Sequence, residues 1–295
     1  MMKIAMKRLY IMFLAVFALS ACEQALIDDV PETVEVVLSL SGTPLAKADS
    51  PLIPDMENLI YDVWILQYDK MGLLINAGTS HERKTNSGSL TATVTATLAV
   101  ADGCTICVLA NLDRGVPDAV RTWPQTLTDF KTSVDVVDLS ADIAAANVGT
   151  LEDMPMSGYW EGDINSSKDN IQVSLGRMLA RINLVINNVS SSTCTLESVS
   201  NVPFKVYAFP SVNHDPLPPD AYQPQLSINQ SVAAGAAKEL YYYVAPNFTA
   251  GEANATRLKI AGKPDVILSN GSPTDSPRDY NLYHNSNYTF TINIK

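Results

Sequence analysis

The chain has 295 residues, 20 Lys and Arg against 31 Asp and Glu, and a formal charge of −11. That balance excludes the phosphate-neutralising surface that nucleic-acid binding needs, and it disfavours adhesion to an anionic membrane surface. Hydrophobic residues make up 46% and charged residues 17% of the chain, so it can bury a core and is not a disordered polymer.

Residues 1–21 read as a signal peptide. Lys3, Lys7 and Arg8 form a basic start, Leu9 to Leu19 an apolar run, and Leu19-Ser20-Ala21 a small-residue cleavage site. The apolar run is too short for a membrane span, which needs about 20 residues. Without the three leader cations the charge falls to −14, carried by 274 residues, a length for one large or two ordinary domains. Leu19-Ser20-Ala21-Cys22 resembles a bacterial lipobox. The resemblance implies cleavage between Ala21 and Cys22 and acylation of the Cys22 thiol, each buried methylene contributing about 0.8 kcal/mol of anchoring. Residues 22–31 then form an acidic tether. Its Glu23, Asp28 and Asp29 are either a solvated spacer or, by resemblance, the surface-export signal of Bacteroidetes lipoproteins.

Glu32 to Gly42 alternates, with Val34, Val36, Leu38 and Leu40 on one face, which predicts a half-buried strand. Three prolines between Thr43 and Asp55 predict an extended loop. Asn58 to Tyr68 is a second strand, turned by Asp69-Lys70-Met71-Gly72 into a hairpin partner from Leu73 to Ala77. Gly88 to Val100 and Thr105 to Leu112 read as strands, the latter buried. Thr126 to Ala146 is the best helical candidate. In the second half Asn170–Leu175, Arg177–Asn187, Leu196–Phe209, Leu240–Ala245, Arg257–Ile260 and the alternation Tyr288, Phe290, Ile292, Ile294 predict strands, and the four prolines between His214 and Pro224 predict a loop. Many short strands with few helices indicate an all-β sandwich architecture. A boundary between Met154 and Asn170 divides it into domains of residues 32–160 and 161–295.

Several segments, in order, resemble the fimbrillin-type subunits of Bacteroidetes type V pili and their adhesin-like lipoprotein relatives. They are the lipobox; Tyr61 to Gly72, similar to the family's first hairpin; Val108-Leu109-Ala110-Asn111-Leu112, similar to its core strand; Met154-Pro155-Met156-Ser157-Gly158; Leu175-Gly176-Arg177-Met178-Leu179-Ala180-Arg181-Ile182, like the opening of its second domain; and Tyr280 to Lys295, like its closing strand. The resemblance implies two transthyretin-like β-sandwich domains with few short helices, a place at the cell surface as a fimbrial subunit or adhesin, and assembly with other fimbrial subunits by β-strand exchange. It also implies proteolytic removal of the first strand, for which Lys47 is the candidate cleavage point and Arg83 the runner-up. His284 stands where the family usually has Arg. The chain stops at Lys295 without the further segment of stalk subunits, which favours a tip or accessory subunit. The alternative is a glycan-binding outer-surface lipoprotein using Tyr241-Tyr242-Tyr243.

No catalytic constellation is expected. Cys104-Thr105-Ile106-Cys107 has redox or zinc spacing, but no second ligand pair accompanies it, and in a strand positions three apart face opposite ways. A disulfide from Cys194 to either remains open. His81, His214 and His284 lie in polar loops without a nucleophile partner, and adjacent carboxylates such as Glu152-Asp153 cannot bracket a glycosidic bond. The sequence therefore predicts a non-enzyme with no metal, no cofactor and no nucleic-acid partner. It allows a host protein or glycan as ligand.

Overall fold

The computed structural model describes residues 32–42, 60, 62–80, 91–112, 122–147, 154–167, 170–210 and 212–295. The signal peptide, Cys22, Lys47, His81, Arg83 and Glu152-Asp153 lie outside them. Val34 to Lys295 make one compact unit; the other, Met1–Thr33, is described only at its last two residues.

Strands come in the order β1 (Thr33–Gly42), β2 (Val63–Tyr68), β3 (Leu74–Ser80), β4 (Thr91–Ala99) and β5 (Ala101–Ala110). Helix α1 (Leu127–Thr132), β6 (Val137–Asp138) and helix α2 (Ser140–Asn147) follow, then β7 (Met156–Ile164), β8 (Asn170–Arg177) and β9 (Ala180–Asn188). The rest is β10 (Cys194–Pro203), β11 (Lys205–Val206), β12 (Tyr222–Val232), β13 (Ala237–Val244), β14 (Arg257–Ile260), β15 (Val266–Ile267) and β16 (Asn287–Ile294).

The first sheet has the order β3-β2-β5-β7-β8-β1-β4 and curls until its outermost strands, β3 and β4, touch. Its inner face forms a core of Val36, Leu38 and Leu40 from β1, Val63 and Ile65 from β2, Cys104, Ile106 and Val108 from β5, and Ile171, Val173 and Leu175 from β8. The second lobe is a sandwich of β12-β10-β14-β15 on β13-β9-β16, closed over Ile182, Leu184, Ile186, Leu196, Val199, Leu258, Ile292 and Ile294. A third core joins the two: Trp64, Leu66, Cys107 and Leu109 of the first sheet pack with Phe130 of α1, Ile143 of α2, and Val206, Phe209 and Ala245.

The hairpin at Asp69–Gly72 forms because Asp69 Oδ1 accepts from the Met71 and Leu73 amides at 2.8 Å each, while Gly72 takes φ +77°. The single helix expected over Thr126–Ala146 is instead two short ones with β6 between them. Thr126 caps α1 by accepting from the Asp129 amide. Ser133 then turns extended, and after the valine-rich stretch from Val134 the chain pairs Val137 and Asp138 with β11 rather than continuing a helix. The Leu196–Phe209 strand likewise breaks at Pro203, leaving only Lys205–Val206 paired beyond it. The loop expected to Pro224 ends at β12, which begins at Tyr222 and carries Pro224 within it. The first sheet takes in β8, past the 160/161 division drawn from the sequence, and the second lobe's strands start at Ala180.

Candidate functional site: the seats of the first and last strands

Two strands, the first and the last, pair parallel to a neighbour. β1 lies between β8 and β4 and runs parallel to β8, with Val37 opposite Asn170 and Gly42 opposite Leu175. Its alternation places Val36, Leu38 and Leu40 wholly inside, while Glu35 and Ser41 face out. Ser39 Oγ donates to Asn170 Oδ1 at 3.2 Å on the outer side. A strand held this way fills an apolar slot and satisfies ladder groups on both flanks. Withdrawing it would expose two strand edges and the slot together. β16 runs parallel to β9 from Asn287–Arg181 to Ile294–Asn188, and Tyr288, Phe290, Ile292 and Ile294 turn toward the second core. The closing segment is thus a body strand of its lobe.

The motif residues, far apart in sequence, meet at two junctions. At the first, buried Asn111 adopts φ +63°, donates its amide N–H to the Asp62 carbonyl and its Nδ2 to the Met154 carbonyl, and leaves the Leu112 amide bonded to Asp62 Oδ1. Asn is among the few residues that tolerate this left-handed backbone. Beside it, Gly158 lies so close to β8 that an added Cβ would stand 2.2 Å from the Ser174 carbonyl oxygen. At the second, buried Arg177 donates Nη1 to Asn285 Oδ1 at 3.1 Å, the Asn285 amide donates to the Leu179 carbonyl, and the Arg181 amide to the Ser286 carbonyl. His284 packs over Gly176. Burial, with His214 nearby as a smaller cause, lowers its pKa from 6.5 to about 4, so the ring is neutral at pH 7.

Cys104 and Cys107 point into the inner core and the joining core respectively, as opposite faces of a strand require, and they and Cys194 are free and buried. No disulfide links the three. Burial pushes both β5 thiols up, Cys107 the more strongly, which keeps them protonated and unreactive. Among the described residues no group of His, Cys, Asp and Glu could hold a metal ion. Tyr241 lies under Arg181, Tyr242 packs on the second core, and the Tyr243 backbone is held by Asn147, whose Nδ2 donates to its carbonyl and whose Oδ1 accepts from its amide, each at 2.9 Å. That bidentate contact caps the β13 edge at this position. His214 is exposed, its ring 4.8 Å from Phe248 and 5.4 Å from Tyr283.

Three buried polar hubs escaped the sequence reading. Gln67 brackets Ala99, accepting from its amide at 2.8 Å and donating to its carbonyl at 2.7 Å. Asn188 donates to the Ser192, Val232 and Ala233 carbonyls. Asn247 donates to the Asn201 and Asn254 carbonyls and to Thr256, and accepts from the Tyr222 hydroxyl, whose pKa burial pushes up to about 12. No local pattern marks such residues, because most of their partners are brought near only by the fold.

No family model matches the chain, and no curated protein sequence does. Solved structures do. A candidate cell adhesion protein from Parabacteroides distasonis superposes with a TM-score of 0.59 at 17% identity, over 88% of each chain. The tip fimbrial protein Mfa3 from Porphyromonas gingivalis, with a C-terminal truncation, superposes with a TM-score of 0.56 at 16% identity, over 88% of this chain and 94% of that one. With the curled first sheet, the second sandwich and the ordered sequence motifs, these likenesses show that the chain has the β-sandwich fold of the fimbrillin-type fimbrial and cell adhesion proteins of Bacteroidetes.

Proposed function

We propose that the chain is a cell-surface fimbrial or adhesin subunit, of tip or accessory type, that joins neighbouring subunits by β-strand exchange and is held at the outer membrane by lipid on Cys22. It acts by binding and assembly, not by catalysis. The seat of β1 carries the reading: an N-terminal strand, parallel to β8, whose three inward side chains fill a slot in an otherwise complete sheet. The fold shared with a tip fimbrial protein supports the same role. A donated strand would replace both the ladder bonds and the apolar contacts of β1.

N-terminal sequencing of assembled material tests the exchange. A start just after Lys47 means that β1 has been removed and its seat refilled. A start at Cys22 means that β1 stays and the exchange reading fails for this subunit. Electron microscopy of cells lacking the chain should show lost or shortened fibres. Cys22→Ser should release the protein from membranes and abolish acyl labelling; unchanged partition would overturn the anchor.

A further inference from the structure

The outward face of the β13-β9-β16 sheet carries a cation that nothing in the assembly reading uses. By register, Arg181 stands between Tyr243 and Asn287, and Asn183 between Tyr241 and Thr289, all on the side away from the second core. Arg181 is 2% exposed. Its guanidinium carbon lies 4.9 Å from the Tyr241 ring centroid. Yet Nε and Nη2 are buried and have no hydrogen-bond partner. These two atoms lie on the same edge of the guanidinium and are the pair that grips a carboxylate with two parallel N–H···O bonds. Asn183, 7% exposed, has a buried Oδ1 that accepts from nothing, while its Nδ2 donates to Glu239 Oε1 at 3.0 Å. Glu239 is exposed and marks the rim of the cluster.

An unpaired cation held away from water is costly, so a buried guanidinium with one complete fork unused points to a missing anion. The chain's net charge of −11 works against general anion attraction, so a site here must be local and built. The cluster asks for two coplanar acceptor oxygens beside a donor. A carboxylate meets the fork, and a hydroxyl on a neighbouring carbon meets Asn183 Oδ1. We propose that Arg181, Asn183 and Tyr241 form a binding site for a hydroxylated carboxylate, of the kind a sugar acid presents. The site rests on the geometry of β9 and β13 and is independent of strand exchange.

Calorimetric titration and thermal melting of the full chain with sodium glucuronate test it, with glucose and ionic-strength-matched sodium chloride as controls. Glucuronate should bind and raise Tm, and neither control should. Arg181→Lys keeps the charge but loses the fork, and should weaken glucuronate binding about tenfold or more. If that variant misfolds, a second one serves. In a Glu239→Gln background, Asn183→Asp places a carboxylate beside the fork. It should raise Tm over Glu239→Gln alone and abolish the glucuronate response. The proposal falls if glucuronate and glucose act alike, or if Arg181→Lys binds as wild type does. It falls also if Asn183→Asp lowers Tm and leaves binding intact, or if an acidic peptide binds and glucuronate does not.

Discussion

Gly158 and Gly251 separate two uses of the same residue. At Gly158 a Cβ would lie 2.2 Å from the Ser174 carbonyl oxygen, a backbone atom of the paired strand that cannot swing aside. Gly158→Ala should therefore cost about 3 kcal/mol or more, read as a drop in the urea midpoint. Gly251 has extended backbone, φ 176°, and nothing within 4 Å of an added Cβ, so Gly251→Ala should stay within about 0.5 kcal/mol of wild type. His284 supplies a pH prediction. Its folded pKa, about 4, lies below the unfolded 6.5. Both states are neutral above pH 7. Below 6.5 the unfolded chain takes a proton that the folded chain refuses, so stability falls until about pH 4, by an amount on the order of 3 kcal/mol. His284→Gln should flatten that part of the curve. Urea unfolding of both proteins at pH 7, 5.5 and 4 checks it, and parallel curves would mean that the ring is solvated.

The terminal strands are the elements on which the proposed role turns, and β16 gives the sharper stability test. It places Ile292 and Ile294 in the second core and packs Tyr288 and Phe290 against it. Full burial of a large apolar side chain contributes about 1.5–3 kcal/mol as an upper estimate. Two such residues, two partly buried aromatics and an eight-residue parallel ladder reach the 5–15 kcal/mol by which a domain is stable. Deleting Asn287 to Lys295 should leave the second lobe unfolded, seen as lost β-sheet circular dichroism and protease sensitivity. A truncated chain that melts like wild type but fails to join a fibre would make the segment a donor strand instead.

Across the whole molecule, the joining core governs cooperativity. Trp64, Leu66, Cys107 and Leu109 on the first sheet share it with Met178 and Leu179 between β8 and β9 and with Val206, Phe209 and Ala245 of the later half. Exposing one lobe alone would strip this core from the other. Calorimetry should therefore show a single transition from pH 7 buffer, with Trp fluorescence and circular dichroism melting together. Two separated transitions would show that the lobes fold independently.

Alternation along single strands was enough to find β1 and β16 and their inward faces, because the two-residue period of a strand is a local property. The Cys104/Cys107 split onto opposite faces follows from the same period. The ordered motifs pointed to the fold before any contact was known. Only the tertiary structure decided the rest. The break of the expected helix into α1, β6 and α2 depends on β11 offering Val137 a ladder, and that partner lies nearly seventy residues away. The parallel seats of β1 and β16 are choices between edges that present the same donors and acceptors to a sequence. Asn111 and Gly158 stood in the motifs, but their reasons, a left-handed turn between Asp62 and Met154 and a 2.2 Å approach to Ser174, exist only when three strands meet. The unused fork of Arg181 is of this second kind: a charge pattern shows an arginine, and only packing shows that its Nε and Nη2 are buried without a hydrogen-bond partner.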